Sequence, residues 1–416
     1  MLHPTSIHLY QLQHIETPRL LIRPIQKGDE LGLHESILRS APELRRWMPW
    51  ARDTRFQTTR DFVYRHVNAW RTQTASDYPL IVLHKASNTI ISASGYNGHT
   101  DTIRPCFEIG YWIDSTYVGH GFASEVVNAL TRYALEALHA IRVQICTQAG
   151  NDSSSAVATR CGYRYEAILR NICRDCQTHL PCDGHLFSCC YSHQLPPLEV
   201  KWRHDFSIHI TKDTAVTLRH APSVPPEQQP VLEAHALLLR PPRTEDAEKM
   251  YAVLTSCLHT LQPQLYWANP VLTLEKIQQH LLQAAAEDVC FLVWDKACSK
   301  ILGEVWGVMV DRTVPHLTLQ MWFDQSSATL EGVSAALTLF VRHLFTQCNA
   351  QCITVYIEEK NKTLLKIAKK IGFHPEGTLK NYCRNFVTQE LSPALLFSMT
   401  TYPSTTGKPK DAEVSV

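Results

Sequence analysis

Glu108-Ile109-Gly110-Tyr111-Trp112-Ile113-Asp114-Ser115-Thr116-Tyr117-Val118-Gly119-His120-Gly121-Phe122-Ala123-Ser124-Glu125, continued by Val126-Val127-Asn128-Ala129-Leu130-Thr131-Arg132-Tyr133, decides the fold. Phe107, Ile109, Tyr111 and Ile113 alternate with Glu108, Gly110, Trp112 and Asp114, which is the period of a strand. From Ala123 onward the apolar positions Val126, Val127, Leu130 and Ala134 recur at helical spacing. A turn, Val118 to Phe122, therefore delivers a strand into a helix N-terminus. Gly119 and Gly121 lack a Cβ and can take positive φ, so successive N–H groups can converge in front of the helix. Its first amides and partial positive charge then make the turn suited to a phosphate or pyrophosphate.

Working outward, Glu-Ile-Gly-Tyr-Trp at 108–112, Gly-His-Gly-Phe-Ala-Ser-Glu at 119–125, Asn151 with Ser154, and Gly162-Tyr163 together resemble the GNAT acetyltransferase superfamily. Within it they are most similar to the Rim-type branch that acetylates N-terminal amines of ribosomal proteins. The resemblance implies an α/β (α+β) fold, a mixed central sheet flanked by helices, with acetyl-CoA as co-substrate. It also implies that Val118, Gly119, His120, Gly121, Phe122 and Ala123 form the pyrophosphate turn, binding through main-chain N–H groups of Gly119, Gly121, Phe122 and Ala123. No role is assigned to the His120 side chain. Val118 departs from the Arg or Gln common at that position in the superfamily.

The resemblance further places Asn151 and Ser154 against the CoA arm or thiol, although both residue types also cap helices without any ligand. Many superfamily members carry a proton-donating tyrosine four residues before the Gly-Tyr glycine. Here that position is Ala158, so Ser154 is the candidate polar group near the thiolate. Glu108, on the central strand, is the candidate base, acting through water; the alternative is a strand carboxylate held by neighbours. Trp47 and Trp50 fall where the family builds its acceptor cleft, but the recurrence of Trp50 as Trp267 favours packing.

A chain of 416 residues predicts two domains. The hydrophobic fraction of 44% and net charge of +1 describe a globular protein with ample core and no global electrostatic case for nucleic acid or anionic membrane. Met1 to Gln13 lacks the pattern of a secretory signal, no run reaches the length of a membrane span, and fourteen cysteines fit reduced thiols, so a cytoplasmic location is expected. Cys173, Cys176, His179, Cys182, His185, Cys189 and Cys190 crowd one stretch, which raises the possibility of zinc. The second half keeps only Cys383 of these, and adjacent strand residues Cys189 and Cys190 point to opposite faces, so no metal is expected.

Taken in order, residues 15–24 predict an opening strand ended by Pro24, and Asp29 is placed to cap a helix over 31–38. A second helix is expected around Phe62, Val63, Val67 and Trp70, followed by strands at 80–84 and 90–94. Beyond the central turn, a strand at 142–147, a helix opened by Asn151 and ended by Gly162, and strands at 163–169 and 184–190 complete the unit. The second half repeats this order: residues 236–241 echo 20–24, and Asp246 takes the place of Asp29. Trp112 and Trp322, Asp114 and Asp324, Asn151 and Asn361, Gly162 and Gly372, Cys173 and Cys383, and Phe187 and Phe397 each lie 210 positions apart. One register kept across so many landmarks indicates two copies of one fold. The expected division is 15–192, a proline-rich linker at 193–231, 232–400, and a polar tail at 401–416.

In that register Gly119 becomes Thr329, Gly121 becomes Glu331 and Glu108 becomes Thr318, so the second copy is expected to have lost the cofactor turn. The reading is an acetyl-CoA-dependent N-acetyltransferase with one working domain and a protein N-terminus as acceptor. Alternatives are a small-molecule amine acceptor or a non-catalytic scaffold.

Overall fold

The computed structural model describes residues 8–98, 104–208, 230–234, 237–261, 265, 271–287, 289–311, 313–324 and 326–400. The chain divides into two compact units: 1–221 with 259–272 and 376–396, and 222–258 with 273–375 and 397–416.

The first unit runs β1 (Leu12–Glu16), β2 (Leu20–Pro24), α1 (Glu30–Trp47), α2 (Phe56–Thr72), β3 (Tyr78–His84), β4 (Thr89–Tyr96), β5 (Cys106–Gly110), α3 (Phe122–Arg132), β6 (Arg142–Gln148), α4 (Asp152–Arg160), β7 (Arg164–Arg174), β8 (Pro181–Cys189) and β9 (Lys201–His204). The opening segment expected as one strand is two, a hairpin with Ile15 opposite Ile22, because Pro18 and Arg19 turn the chain. Part of the expected linker is also sheet: β9 pairs antiparallel with β1, Trp202 opposite Ile15. Neighbours are antiparallel from β9 through β1, β2, β3 and β4 to β5; β5 and β6 are parallel, and β8 lies between β6 and β7.

Strand periodicity divides the core. Leu80 and Val82 join Val126, Leu130 and Tyr133 on the α3 face, whereas Ile81 joins Leu33, Ile37 and Val63 under α1 and α2.

Asp29 does not cap α1 through its side chain. Its carboxylate is taken by Arg23 in a two-pronged pair, Nη2 to Oδ1 at 2.6 Å and Nη1 to Oδ2 at 2.8 Å. A two-pronged bond to a charged guanidinium outcompetes a single bond to a neutral backbone N–H. In the second unit Arg240 and Asp246 repeat those bonds at 2.6 and 2.8 Å.

The chain continues with β10 (Leu232–Ala234), β11 (Leu237–Arg240), α5 (Ala247–Ser256), α6 (Leu258–Leu261), α7 (Leu274–Glu287), β12 (Val289–Asp295), β13 (Ile301–Asp311), β14 (His316–Phe323), α8 (Leu330–Thr346), β15 (Cys352–Glu358), α9 (Lys362–Lys370), β16 (His374–Arg384) and β17 (Leu391–Met399). The sheet order β10 to β15 is antiparallel except for the parallel pair β14 and β15, matching β5 and β6. No helix among the described residues is long and apolar enough to cross a membrane.

Candidate active site

In the turn before α3, Gly119 has φ +86° and Gly121 φ +80°. A Cβ at Gly119 would meet nothing within 4 Å, and one at Gly121 only Arg19 Nη2 at 3.7 Å. Backbone conformation, not crowding, is what calls for glycine here. Gly121 is the N-cap of α3 and brings no side-chain acceptor. Among the described residues the main-chain N–H groups of 119–124 meet no acceptor. Six consecutive donors at an exposed helix start, with the helix dipole behind them, form a cradle for an anion. Val118 is 63% exposed at its rim. The His120 ring is turned onto its own turn, Nδ1 lying 3.1 Å from the Val118 carbonyl.

Arg19, which sequence reasoning passed over, braces this turn. Its Nη1 donates to the His120 carbonyl at 2.9 Å, and Nε and Nη2 reach Glu125 Oε2 at 2.6 and 2.5 Å. Thr17 Oγ1 donates to Glu125 Oε1 at 2.5 Å, and the guanidinium lies 4.3 Å from the centre of the Phe122 ring. A peptide's C=O and the following N–H point opposite ways, so drawing the His120 carbonyl toward Arg19 aims the Gly121 N–H away from it. The signal was present in the repeat: Arg19 aligns with Ala236 and Glu125 with Ala335, so both charges are lost in the copy that lost the glycines.

The second component is a gap in the sheet. The β5–β6 pairing ends at Glu108 opposite Gln144, although β6 continues to Gln148, held from its other side by β8. On the β5 side, Gly110 pairs with Gly95 of β4. Past that pair no bridge joins Ile109–Ile113 to Ile145–Gln148 among the described residues. Across the gap, Tyr111 Oη lies 2.9 Å from Ser154 Oγ and 3.0 Å from the Ser154 carbonyl. Burial pushes the Tyr111 phenol up to about 12. Asn151 does cap α4, its Oδ1 accepting from the Ser154 N–H at 3.2 Å and from Ser153 Oγ at 2.9 Å. Ala158 is fully buried.

Glu108 is 6% exposed, and its two carboxylate oxygens accept from Asn97 Nδ2 and Gln144 Nε2, each at 2.7 Å. It lies at the mouth of the gap, on the strand face opposite Phe107 and Ile109. At the end of this strand Asp114 is buried, and burial would raise its pKa. Donors from Arg39, Thr116 and Ser36 outweigh that and hold it below the usual carboxylate range. Trp50 is not packed away as the repeat suggested: it is 46% exposed, its ring 6.2 Å from that of Trp112. The adjacent Met48-Pro49 stretch ends α1 and leaves Trp50 on a short turn outside the core. Its counterpart Trp267 lies outside the described residues. All fourteen cysteines are free, and among the described residues no three His, Cys, Asp or Glu side chains group closely enough to hold a metal ion.

The second unit differs at each component. Its helix α8 starts two residues earlier in register, at Leu330, with Thr329 as N-cap, whose Oγ1 takes the Gly332 N–H at 3.1 Å. Neither Thr329 nor Glu331 has positive φ. The β14–β15 pairing runs four residues, to Leu319 opposite Val355, one more than in the first unit. Beyond it Met321, Ile357 and Leu364 line a small apolar cavity where the register places Tyr111, Thr147 and Ser154 in the first unit.

The family model described as an acetyltransferase (GNAT) domain matches residues 19–164 and again 236–374, together more than half of the chain. YdaF of Bacillus subtilis (strain 168), which carries the name of a ribosomal N-acetyltransferase, is 28% identical over 162 residues, covering 36% of this chain and 81% of that protein. Among solved structures, RimL, a ribosomal L7/L12 alpha-N-protein acetyltransferase in complex with coenzyme A, is 19% identical with a TM-score of 0.40. That match covers 43% of this chain and 99% of RimL. The microcin C7 self-immunity acetyltransferase MccE in complex with acetyl-CoA and AMP is 17% identical with a TM-score of 0.38, over 46% and 98% of the two chains. With the family pattern met twice along one sequence, the chain belongs to the GNAT acetyltransferase family and carries its domain in tandem.

Proposed function

We propose that this protein is an N-acetyltransferase that uses acetyl-CoA and works through its first domain. The observation that carries the reading is the set of unpaired main-chain donors at 119–124 beside the opened β5–β6 edge. Val118, Gly119, His120, Gly121, Phe122 and Ala123 form the pyrophosphate turn, and Asn151 and Ser154 flank the CoA arm. The parted edge of β5 offers a main-chain N–H to the thioester carbonyl, where charge develops as the amine nitrogen adds to the carbonyl carbon. Glu108 takes the amine's proton through water, its position fixed by Asn97 and Gln144. As the C–S bond breaks, Ser154 donates a hydrogen bond to the departing thiolate. The second domain, with its turn recast as a capped helix start, serves as a supporting or substrate-shaping domain.

The acceptor we propose is a protein N-terminus of the ribosomal-protein type, in a cytoplasmic setting that keeps the free cysteines reduced. It is supported by the Bacillus subtilis relative's name and by the exposed Trp50 ring on the α1–α2 side. A panel of N-terminal peptides, with polyamines and aminoglycosides as competing small amines, tests it directly. Acetyl transfer to peptides supports the proposal, and transfer only to a small amine replaces the acceptor. Acetyl-CoA binding without transfer to any of them favours a scaffold.

A further inference from the structure

We infer that Tyr111 is a positioning residue for acetyl transfer, its phenol holding the Ser154 hydroxyl in the orientation that donates to the departing sulfur. This rests on the acetyl-CoA reading above. The Tyr111 oxygen touches Ser154 twice, at 2.9 Å from Oγ and 3.0 Å from the carbonyl, reaching from the β5 edge to the first turn of α4. A phenol carries one proton. When Tyr111 gives it to the Ser154 carbonyl, the phenol oxygen accepts the Ser154 O–H. When Tyr111 turns it onto Ser154 Oγ, the Ser154 proton is released toward the gap. Two hydroxyl rotations interconvert these states with no heavy atom moving.

Serines in a helix's first turn otherwise spend their hydroxyls on nearby groups. Both neighbours here do so: Ser153 Oγ donates to Asn151 Oδ1, and Ser155 Oγ pairs with Thr147 Oγ1 at 2.9 Å. Ser154 is the one kept on a residue from the opposite side of the gap. Because burial raises the Tyr111 phenol to about 12, it keeps its proton near neutrality and acts by hydrogen bonding. The tandem copy supplies an internal comparison. At the same register Tyr111 and Ser154 are replaced together by Met321 and Leu364, in the copy whose turn glycines are also gone.

The test uses the full chain with CoA as the probe and reads the bound thiol's titration by thiolate absorbance in wild type, Y111F, S154A and the double variant. Isothermal titration gives CoA affinity in parallel. A donor to the thiolate favours the charged form, so bound CoA should titrate below free CoA. Y111F and S154A should each move that titration up by roughly half to one pH unit, with the double variant no further than S154A alone. Each titration is read at saturating CoA, so that the variants are compared as fully bound states. Normal CoA binding with an unmoved titration in Y111F overturns the role of Tyr111, as does an additive double variant. If Y111F does not fold, S154A alone decides, and an unmoved titration there overturns the inference. Failure of wild type to bind CoA overturns the acetyl-CoA reading itself, and this inference with it.

Discussion

Gly121→Glu places in the first domain the residue that the second carries at the same register. A side chain at φ +80° costs the fold about 1–2 kcal/mol, and the Cβ meets only Arg19 Nη2, at 3.7 Å. A carboxylate at a helix N-terminus returns roughly 0.3–1 kcal/mol, so the folded protein should survive with little net loss. Binding should not. Two unit charges about 5 Å apart repel by about 0.8 kcal/mol in water and roughly four times that near a protein surface. Against a pyrophosphate carrying two charges this is about 2–6 kcal/mol, or a loss of affinity from roughly 30-fold to twenty-thousand-fold. Gly121→Ala carries the same backbone strain without the charge and should bind within a few-fold of wild type. Titration calorimetry with CoA compares the three, and pantetheine, which lacks the pyrophosphate, should not distinguish them. Equal CoA affinity for the Glu and Ala variants would refute the placement of the pyrophosphate.

Three further predictions concern the frame around the site. Arg19→Ala frees the His120 carbonyl and leaves the buried Glu125 without its cation; about tenfold weaker CoA binding is expected, and unchanged affinity would refute the brace. Gly162→Ala should destabilise the first domain by about 2–4 kcal/mol in urea unfolding, because φ is +79° and the new Cβ would lie 2.1 Å from the Gln194 carbonyl oxygen; an unchanged midpoint would show that this turn is not held so tightly. In the second domain Glu304 is fully buried, and His280 Nε2 lies 2.8 Å from its Oε1. Burial opposes both charges, yet their attraction raises His280 and, with Trp322 and Cys290 donating, lowers Glu304. His280 contributes stability that is full below its unfolded value of about 6.5 and lost as pH rises through its raised folded value; Glu304's share is present above about 4.5 and lost on acidification. Thermal melts should therefore peak between these limits, and His280→Gln should remove the alkaline decline.

Much of this was legible in sequence because the signals were local. The alternation at 107–114 and the helical spacing after Ala123 placed β5 and α3, and the glycines marked a turn that does require positive φ. Asn151 declared its cap, and the repeat reading found a second copy that preserves the Arg23–Asp29 bonds as Arg240–Asp246. What stayed hidden depends on long-range contact. Arg19 meets Glu125 across 106 positions and Tyr111 meets Ser154 across 43, and no periodicity encodes either pair. Asp29 resembled a cap because aspartate favours that position, but Arg23 was the stronger partner. Trp50 misled through its recurrence, since a repeated tryptophan says nothing about which side of a turn its ring takes.

The central claim is that the main-chain amides of residues 119–124 grip the pyrophosphate of CoA. Amide-resolved nuclear magnetic resonance on the isotopically labelled full chain addresses it most directly. The Gly119 and Gly121 amide protons should move downfield on adding CoA and exchange more slowly with solvent, while those of residues 329–332 stay in place. CoA binding that leaves the 119–124 amides unmoved would contradict the account.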